Sequence, residues 1–429
     1  MSSVVKKGYK QTEVGVIPDD WEVNNLGDYC TKIGSGITPT GGEKIYKSNG
    51  RPFIRSQNVG WGELDLSDVA FIDDDIHNTF KATEIKVDDV FLNITGASIG
   101  RSAIADDRVE SGNVNQHVCI IRVDKKSLSP KFINYLLLSR LGQKQIDSFQ
   151  SGGNRQGLNF GQIKKFLLPF PPTTKEQSAI AAVLTETDSL IASLEKLIAK
   201  KEAVKKGTMQ QLLTGKKRLP GFTDKWQKKR INKVFKFLST ASNSRSELSD
   251  DGEICYIHYG DIHTQWCEFL DASNESIPFI KREKVKDVPF LENGDLLIAD
   301  ASEDYEGLCA CIELKNVNHR KIVGGLHTLL LRGNKEEIAD GFKGYLPHLK
   351  GFKEAVIRAA TGISVYGISK KNLGEIEITI PDVTEQEAIA TIIADMTTEI
   401  NQLKEKHQKY LSIKQAMMQN LLTGKIRLV

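Results

Sequence analysis

The sequence predicts an α+β protein made of two similar globular domains separated by two long, near-identical helices. The helices pair as an antiparallel coiled coil, and the halves are related by an approximate two-fold axis. Three observations carry this prediction. One stretch of the chain is written twice, both copies have a coiled-coil spacing of apolar residues, and the regions preceding them carry the same short motifs in the same order.

The repeated stretch is Thr173 to Leu219, which returns as Val383 to Leu428. Laid over each other without a gap, at a constant offset of 209 residues (176 to 385), the copies share Glu176/Glu385, Gln177/Gln386, Ile180/Ile389, Ile191/Ile400, Leu194/Leu403 and Met209/Met418. The run Leu212 to Lys216 also matches Leu421 to Lys425. A gapless repeat of this length is a structural unit. Pro172 and Pro381 stand just before each copy, and Thr173 or Thr174 with Glu176 or Gln177 offers N-cap chemistry. Ile180, Leu184, Ile191, Leu194 and Ile198 alternate four and three apart, and Ile389, Ile393, Met396, Ile400 and Leu403 keep that register. Thr187, Lys201, His407 and Tyr410 weaken the seam. Gly215 and Gly424 supply matching C-terminal stops. Each helix is therefore expected to run about 40 residues, or roughly 60 Å.

Connectivity sets the pairing. The block between the copies is tied to the end of the first helix by Pro220 to Asp224 and to the start of the second by Ile380 and Pro381. A compact domain holds both ends only if they lie together, so the helices must be antiparallel. The expected division is 1–160 for the first domain, 161–219 for the first helix, 220–366 for the second domain and 367–429 for the second helix.

At 429 residues, with 40% hydrophobic and 26% charged side chains, the chain is an ordinary globular protein with ample core. In the first block Pro52 to Arg55, Val87 to Ile94 and Val118 to Val123 read as strands, and Pro130 to Phe149 as a helix. The second block follows it loosely. Trp226 answers Trp21, CYIHYGDI at Cys255 answers PFIRSQNV at Pro52, and ENGDLLIADAS at Glu292 answers VDDVFLNITGAS at Val87. GGLHTLLLR at Gly324 likewise answers VNQHVCIIR at Val114. Helices that stay alike beside domains that diverge suit a fixed spacer carrying two readers of different things.

Charge hints at what is read. The net charge is only +3, but Lys196 to Lys236 holds fourteen Lys or Arg against Glu202 and Asp224, while Trp61 to Glu110 holds twelve acids against four bases. A basic stretch attracts phosphate, although from charge alone a solvated helix face is the first reading. The polar loops at matched places narrow the choice. Arg55, Gln57 and Asn58 match His258, Tyr259 and Asp261. Asn115 and Gln116 lie where His327 follows in the second block, and Asn154, Arg155 and Gln156 match the loop holding Ser364 and Tyr366. Arg, Asn, Gln and His present paired hydrogen bonds to base edges, and glycine permits close approach to phosphate. An ordinary turn is the alternative for each residue singly.

Independent catalysis is not expected. LTGKK and LTGKI lack the first glycine and the hydroxyl of a phosphate loop, no G-x-G-x-x-G follows a strand, and PFPP at Pro169 lacks the amide or carboxylate of an amino-methyltransferase motif. The six cysteines show no C-x-x-C spacing, and only Cys309 and Cys311 lie close; buried thiols are the expectation, and no metal. No apolar run approaches a membrane span and the N-terminus lacks a signal-peptide core, so a cytoplasmic protein is expected.

Two divergent domains, each followed by a near-identical helix, with GDLLIADAS, SGGNRQGLN and a P-x-x-x-E-Q-x-x-I helix opening, resemble the specificity (S) subunit of a type I restriction-modification system. The resemblance spans essentially the whole chain. It implies that each globular block is a target recognition domain reading one half of a bipartite, asymmetric site in double-stranded DNA. It further implies that the helices, through Ile180, Leu184, Ile191, Leu194, Ile389, Ile393, Ile400 and Leu403, pair and dock two methyltransferase (M) subunits. S-adenosylmethionine would then be bound by the M subunits, and ATP and Mg by two restriction (R) subunits, with no cofactor on this chain. EDYEG at Glu303 and TGISVYG depart from the basic pattern and put phosphate contacts there in question. A coiled-coil adaptor without DNA specificity and a methyltransferase with an unrecognised site are the alternative readings.

Overall fold

The structure is a computed structural model that describes residues 5–150, 157–285, 287–363 and 365–428. The chain divides into two compact units, Met1–Glu195 with Glu405–Val429, and Lys196–Lys404. Each unit thus contains one globular domain, the end of one long helix and the beginning of the other.

The long helices are α1, Thr174–Leu212, and α2, Val383–Leu421, each 39 residues. Both stop in the same way. Gly215 and Gly424 adopt φ of +67° and +68° and donate to Leu212 and Leu421, while the N–H groups of Lys217 and Ile426 reach Gln211 and Asn420. A side chain resists this left-handed conformation, which is why glycine marks the stop. In the first unit Asp188 pairs with Lys414 and Glu195 with His407. In the second, Glu202 pairs with Lys404 and Lys201 with Glu399. In the first unit residue numbers rise on α1 as they fall on α2, and in the second Lys201 pairs with Glu399 while Leu212 shares a core with Ile389, so the helices are antiparallel within each unit.

The apolar seam is buried as its spacing requires. Ile180, Leu184, Ile191, Leu194, Ile389, Ile393 and Ile400 are buried, and Leu403 is half-buried. Ile180, Ala181 and Leu184 join Leu421 and Leu422 in the core of the first domain. Ile389, Ala390 and Ile393 join Met209, Leu212 and Leu213 in the core of the second. These two sets are equivalent in the repeat. Each domain therefore sits on the same apolar footprint.

The first domain has a four-stranded sheet of β1 (Cys30–Ser35), β2 (Val90–Asn93), β3 (Ser102–Ile104) and β4 (Val118–Val123), in the order β1-β4-β2-β3. The second has β5 (Phe235–Leu238), β6 (Glu268–Asp271), β7 (Leu296–Ala299), β8 (Cys311–Lys315) and β9 (Thr328–Gly333), in the order β5-β9-β7-β8-β6. Apart from β6 the order is the same. A small sheet recurs too, with Arg51–Ile54 between Ala70–Ile72 and Asn113–Val114, and Ile254–Ile257 between Phe279–Ile280 and Lys321–Gly324. So does the pairing of Glu22–Asn25 with Leu167–Phe170, answered by Gln227–Arg230 with Glu377–Ile380.

Matched side chains explain several shared motifs. Asp89, buried beside β2, takes both arms of Arg122 at 2.7 Å; Asp295 holds Arg332 at 2.9 and 2.8 Å. The Glu-Gln pair that opens each long helix is structural. Gln177 and Gln386 close a backbone loop, accepting from Ser129 or Ala339 and donating to Pro171 or Pro381. Glu176 binds Arg427, which lies over Trp21; Glu385 binds Arg218, which lies over Trp226.

The expected helix Pro130 to Phe149 is broken. Helices Pro130–Leu138 and Arg140–Gln150 meet at Ser139, whose hydroxyl donates back to the Leu136 carbonyl. In the second domain a 3-10 turn, Lys343–His348, takes the place of the first piece, because Pro347 removes a donor. Cys309 and Cys311 belong to the second core, and burial pushes the Cys309 thiol up to about 12.

Candidate nucleic-acid interface

In each domain three loops meet at one end of the sheets. In the first, the loop after Arg51–Ile54, the loop after β2 and the turn before β4 are joined by backbone and side-chain bonds. Asn115 N–H donates to Ile54, Ile94 N–H to His117, and the Asn93 amide to the Ser56 carbonyl at 2.8 Å. Gly157 forms a bridge with Thr95 there, and Thr95 meets His117 Nδ1. Asn154, Arg155 and Gln156 lie outside the described residues.

Within this end the predicted residues divide by role. Arg55 lies over the Tyr46 ring and donates to Asp68, as does the Gln57 amide at 2.8 Å. Gln57 is exposed and Arg55 is partly buried. Gln116 is also accessible, held by the Thr38 hydroxyl and by His117. Asn58 and Asn115 are different. Asn58 is 2% exposed; its oxygen accepts from Arg55 N–H and its amide donates to the carbonyls of Asp65 and Asp68. Asn115 is buried and accepts from His117 N–H. Both polar ends of Asn58 and the side-chain oxygen of Asn115 are committed to backbone, an arrangement that suits holding a turn.

The second domain repeats this division. Asp261, fully buried, accepts from His258 N–H at 3.1 Å, as Asn58 does from Arg55, and also holds Arg245 and Gln265. It too is a turn holder. Tyr259 is the centre of an aromatic cluster, its ring 4.6 Å from His258, 5.9 Å from His263 and 5.3 Å from His327. His258 is buried and accepts from Gly260 N–H, and burial, with Arg245 and His327 nearby, pushes its pKa down. His327 is half exposed and faces Asp300, whose carboxyl burial pushes up against the opposing pull of His327. Ala301–Ser302 pairs with Tyr366–Gly367, and Tyr366 stacks on Tyr305 at 3.9 Å. Ser364 lies outside the described residues.

The accessible set is therefore Arg55, Gln57 and Gln116 in one domain, and Tyr259, His327 and Tyr366 in the other. His263 and Tyr305 were missed. His263 follows Tyr259 by four residues, so helical spacing could have found it; nothing local marks Tyr305 as the partner of Tyr366. The basic stretch is partly neutralised within the second unit, where Lys201, Lys205, Arg218, Lys229 and Arg230 pair with Glu399, Glu268, Glu385, Glu337 and Glu375.

The helix residues assigned to subunit docking are turned inward. Ile180, Leu184, Ile389 and Ile393 lie in domain cores. Leu197 and Val204, seven residues apart on α1 in the second unit, are 38% and 48% exposed. Among the described residues no helix is long and apolar enough to cross a membrane.

Comparison with known proteins gives concordant matches. The family described as type I restriction modification DNA specificity domain matches twice, over residues 18–205 and 223–412. A chain assigned as the specificity subunit of type I restriction enzyme MjaX from Methanocaldococcus jannaschii is 25% identical, over 98% of this chain and 97% of its own length. The EcoKI specificity subunit of Escherichia coli K12 is 21% identical, over 96% and 90%. The crystal structure of a type I S subunit from M. genitalium has the same fold, with a TM-score of 0.54 at 16% identity, covering 94% of this chain and 96% of that one.

Proposed function

The chain belongs to the type I restriction-modification DNA specificity family, with two target recognition domains, and from that membership we propose that each domain reads its own half of a bipartite, asymmetric DNA site. One observation carries the proposal. Two domains of the same strand order present, at the same end, unlike accessible side chains: Arg55, Gln57 and Gln116 in the first against Tyr259, His327 and Tyr366 in the second. A common scaffold with different polar ends suits two different base sequences.

In this reading the chain is the non-catalytic member of its complex. Two M subunits supply S-adenosylmethionine and transfer its methyl to adenine, and two R subunits supply ATP, Mg and cleavage. DNA sits at the loop ends of the domains, and M subunits dock on exposed helix positions such as Leu197 and Val204. Complex formation inside the cell follows from this role.

The test is sequencing of methylated adenines in a host carrying this chain with its M partner. The expected product is one bipartite motif. Exchanging residues 221–366 for the matching block of a relative should change only one half of it. A change in both halves, or in neither, would refute the assignment of one half-site per domain.

A further inference from the structure

Each domain meets the helices through an equivalent apolar footprint, but the polar groups at the rim of that footprint differ. Lys205 on α1 and Lys414 on α2 are repeat equivalents, 209 residues apart (205 to 414). In the first unit Lys414 binds Asp188 on α1 at 2.5 Å, and Asp188 accepts from the hydroxyl of Tyr135 in the domain at 2.7 Å. Tyr135 also meets Thr185 at 3.2 Å and is 6% exposed. In the second unit Lys205 pairs with the domain itself. It lies 3.7 Å from Glu268, which also takes His348 at 3.2 Å. Glu268 opens β6, which has no counterpart strand in the first domain's four-stranded sheet among the described residues, and holds φ of +65°, a strained conformation for a residue with a side chain. Its carbonyl oxygen would lie 2.1 Å from a Cβ at Gly344, so only glycine lets the 3-10 turn pack there.

Apolar packing is non-directional and tolerates small rotations of a domain on its footprint, whereas charged hydrogen bonds and close ion pairs restrict distance and angle. We propose that these two rims, Tyr135–Asp188–Lys414 and His348–Glu268–Lys205, set the pose of each domain on the helices, and thereby the separation of half-sites that the complex accepts. The residues are positioning residues and touch no DNA. The inference rests on the reading that each domain takes one half-site.

The experiment uses the assembled methyltransferase with wild-type chain, Tyr135→Phe, Asp188→Asn, Asp188→Glu and Glu268→Gln. Methylation is measured on duplexes whose half-sites are separated by the native number of base pairs, one fewer and one more. The wild type should favour the native separation. Tyr135→Phe, Asp188→Asn and Glu268→Gln should each reduce that preference by about tenfold, the scale of one charged hydrogen bond, while methylation at the native separation changes far less. Asp188→Glu, which keeps the charge, should restore part of the preference. Tyr135→Phe removes a single hydroxyl and remains informative if a charge variant fails to fold. Variants that fold and assemble as wild type yet keep its full preference would overturn the inference. A wild-type complex that methylates no bipartite site would instead overturn the functional reading beneath it.

Discussion

Asn58 and Asp261 each accept a hydrogen bond from the backbone three residues before them, Arg55 or His258, and so hold the turn that presents Gln57 or Tyr259. Removing such a buried partner leaves backbone groups unsatisfied, at a cost of about 1–3 kcal/mol. Asn58→Ala is expected to lower the denaturant midpoint while leaving the preferred base sequence unchanged. Gln57→Ala should leave stability within about 0.5 kcal/mol and relax preference at one base pair, read by affinity for single-base variants. The reverse pattern would exchange the two roles. Glu268 gives a pH signature at the same scale. Burial would raise its carboxyl pKa, but His348 and Lys205 outweigh burial and hold it below the ordinary value. A depressed carboxyl contributes stability above its unfolded pKa, and that contribution is lost as pH falls through the folded value. Below about pH 4.5 the wild type should therefore lose stability faster than Glu268→Gln. Urea midpoints across that range measure the difference, and parallel slopes would count against the ion-paired carboxylate.

At the scale of the element, helices of equal length do two jobs with two faces. Ile393 packs inside the second core, whereas Leu197 and Val204 face outward. Placing a charge at Ile393 removes a burial worth roughly 1.5–3 kcal/mol and adds the cost of desolvation, so Ile393→Asp should destabilise the second unit outright. Leu197→Lys with Val204→Lys should leave thermal unfolding unchanged and abolish co-purification with the M subunit. Intact assembly in that double variant would move docking to another face. The inward direction of Ile180 and Leu184 was legible as periodicity, but not which neighbour covered them. A stripe of apolar residues reads the same whether the cover is a partner helix, a domain or a second protein.

At the scale of the whole molecule, the chain's last residues complete its first domain. Arg427 reaches Glu176 and Asp20, Tyr9 donates to the carbonyl of Gly424, and Leu421, Leu422 and Leu428 pack with Ile17 and Trp21. In the second unit Arg218 and Leu213 make the equivalent closure against Trp226 and Glu385. Removing residues 422–428 should therefore leave the buried Glu176 carboxylate without its cation, a loss that costs about 3–5 kcal/mol for a charge that stays buried. Hydrogen exchange should speed up in residues 9–35 and stay unchanged in residues 227–380. Equal effects on both segments would show that the two units do not unfold separately.

The sequence by itself determined the duplication, the length and antiparallel sense of the helices, their glycine stops and the matching of the two domains. These rest on local rules and on covalent connectivity, which repeat faithfully whenever the residues repeat. Only the tertiary structure decided which polar residues are buried and which groups they bind. Asn58, Asn115 and Asp261 looked like Gln57 and Tyr259 because a turn holder and a base reader are drawn from the same hydrogen-bonding side chains. What separates them is burial: a side chain whose donors and acceptors are already spent on buried backbone has none left for DNA. The same holds for Lys205 and Lys414, identical in the repeat. One is paired to a domain and the other to a neighbouring helix, because β6 brings a carboxylate to only one of them.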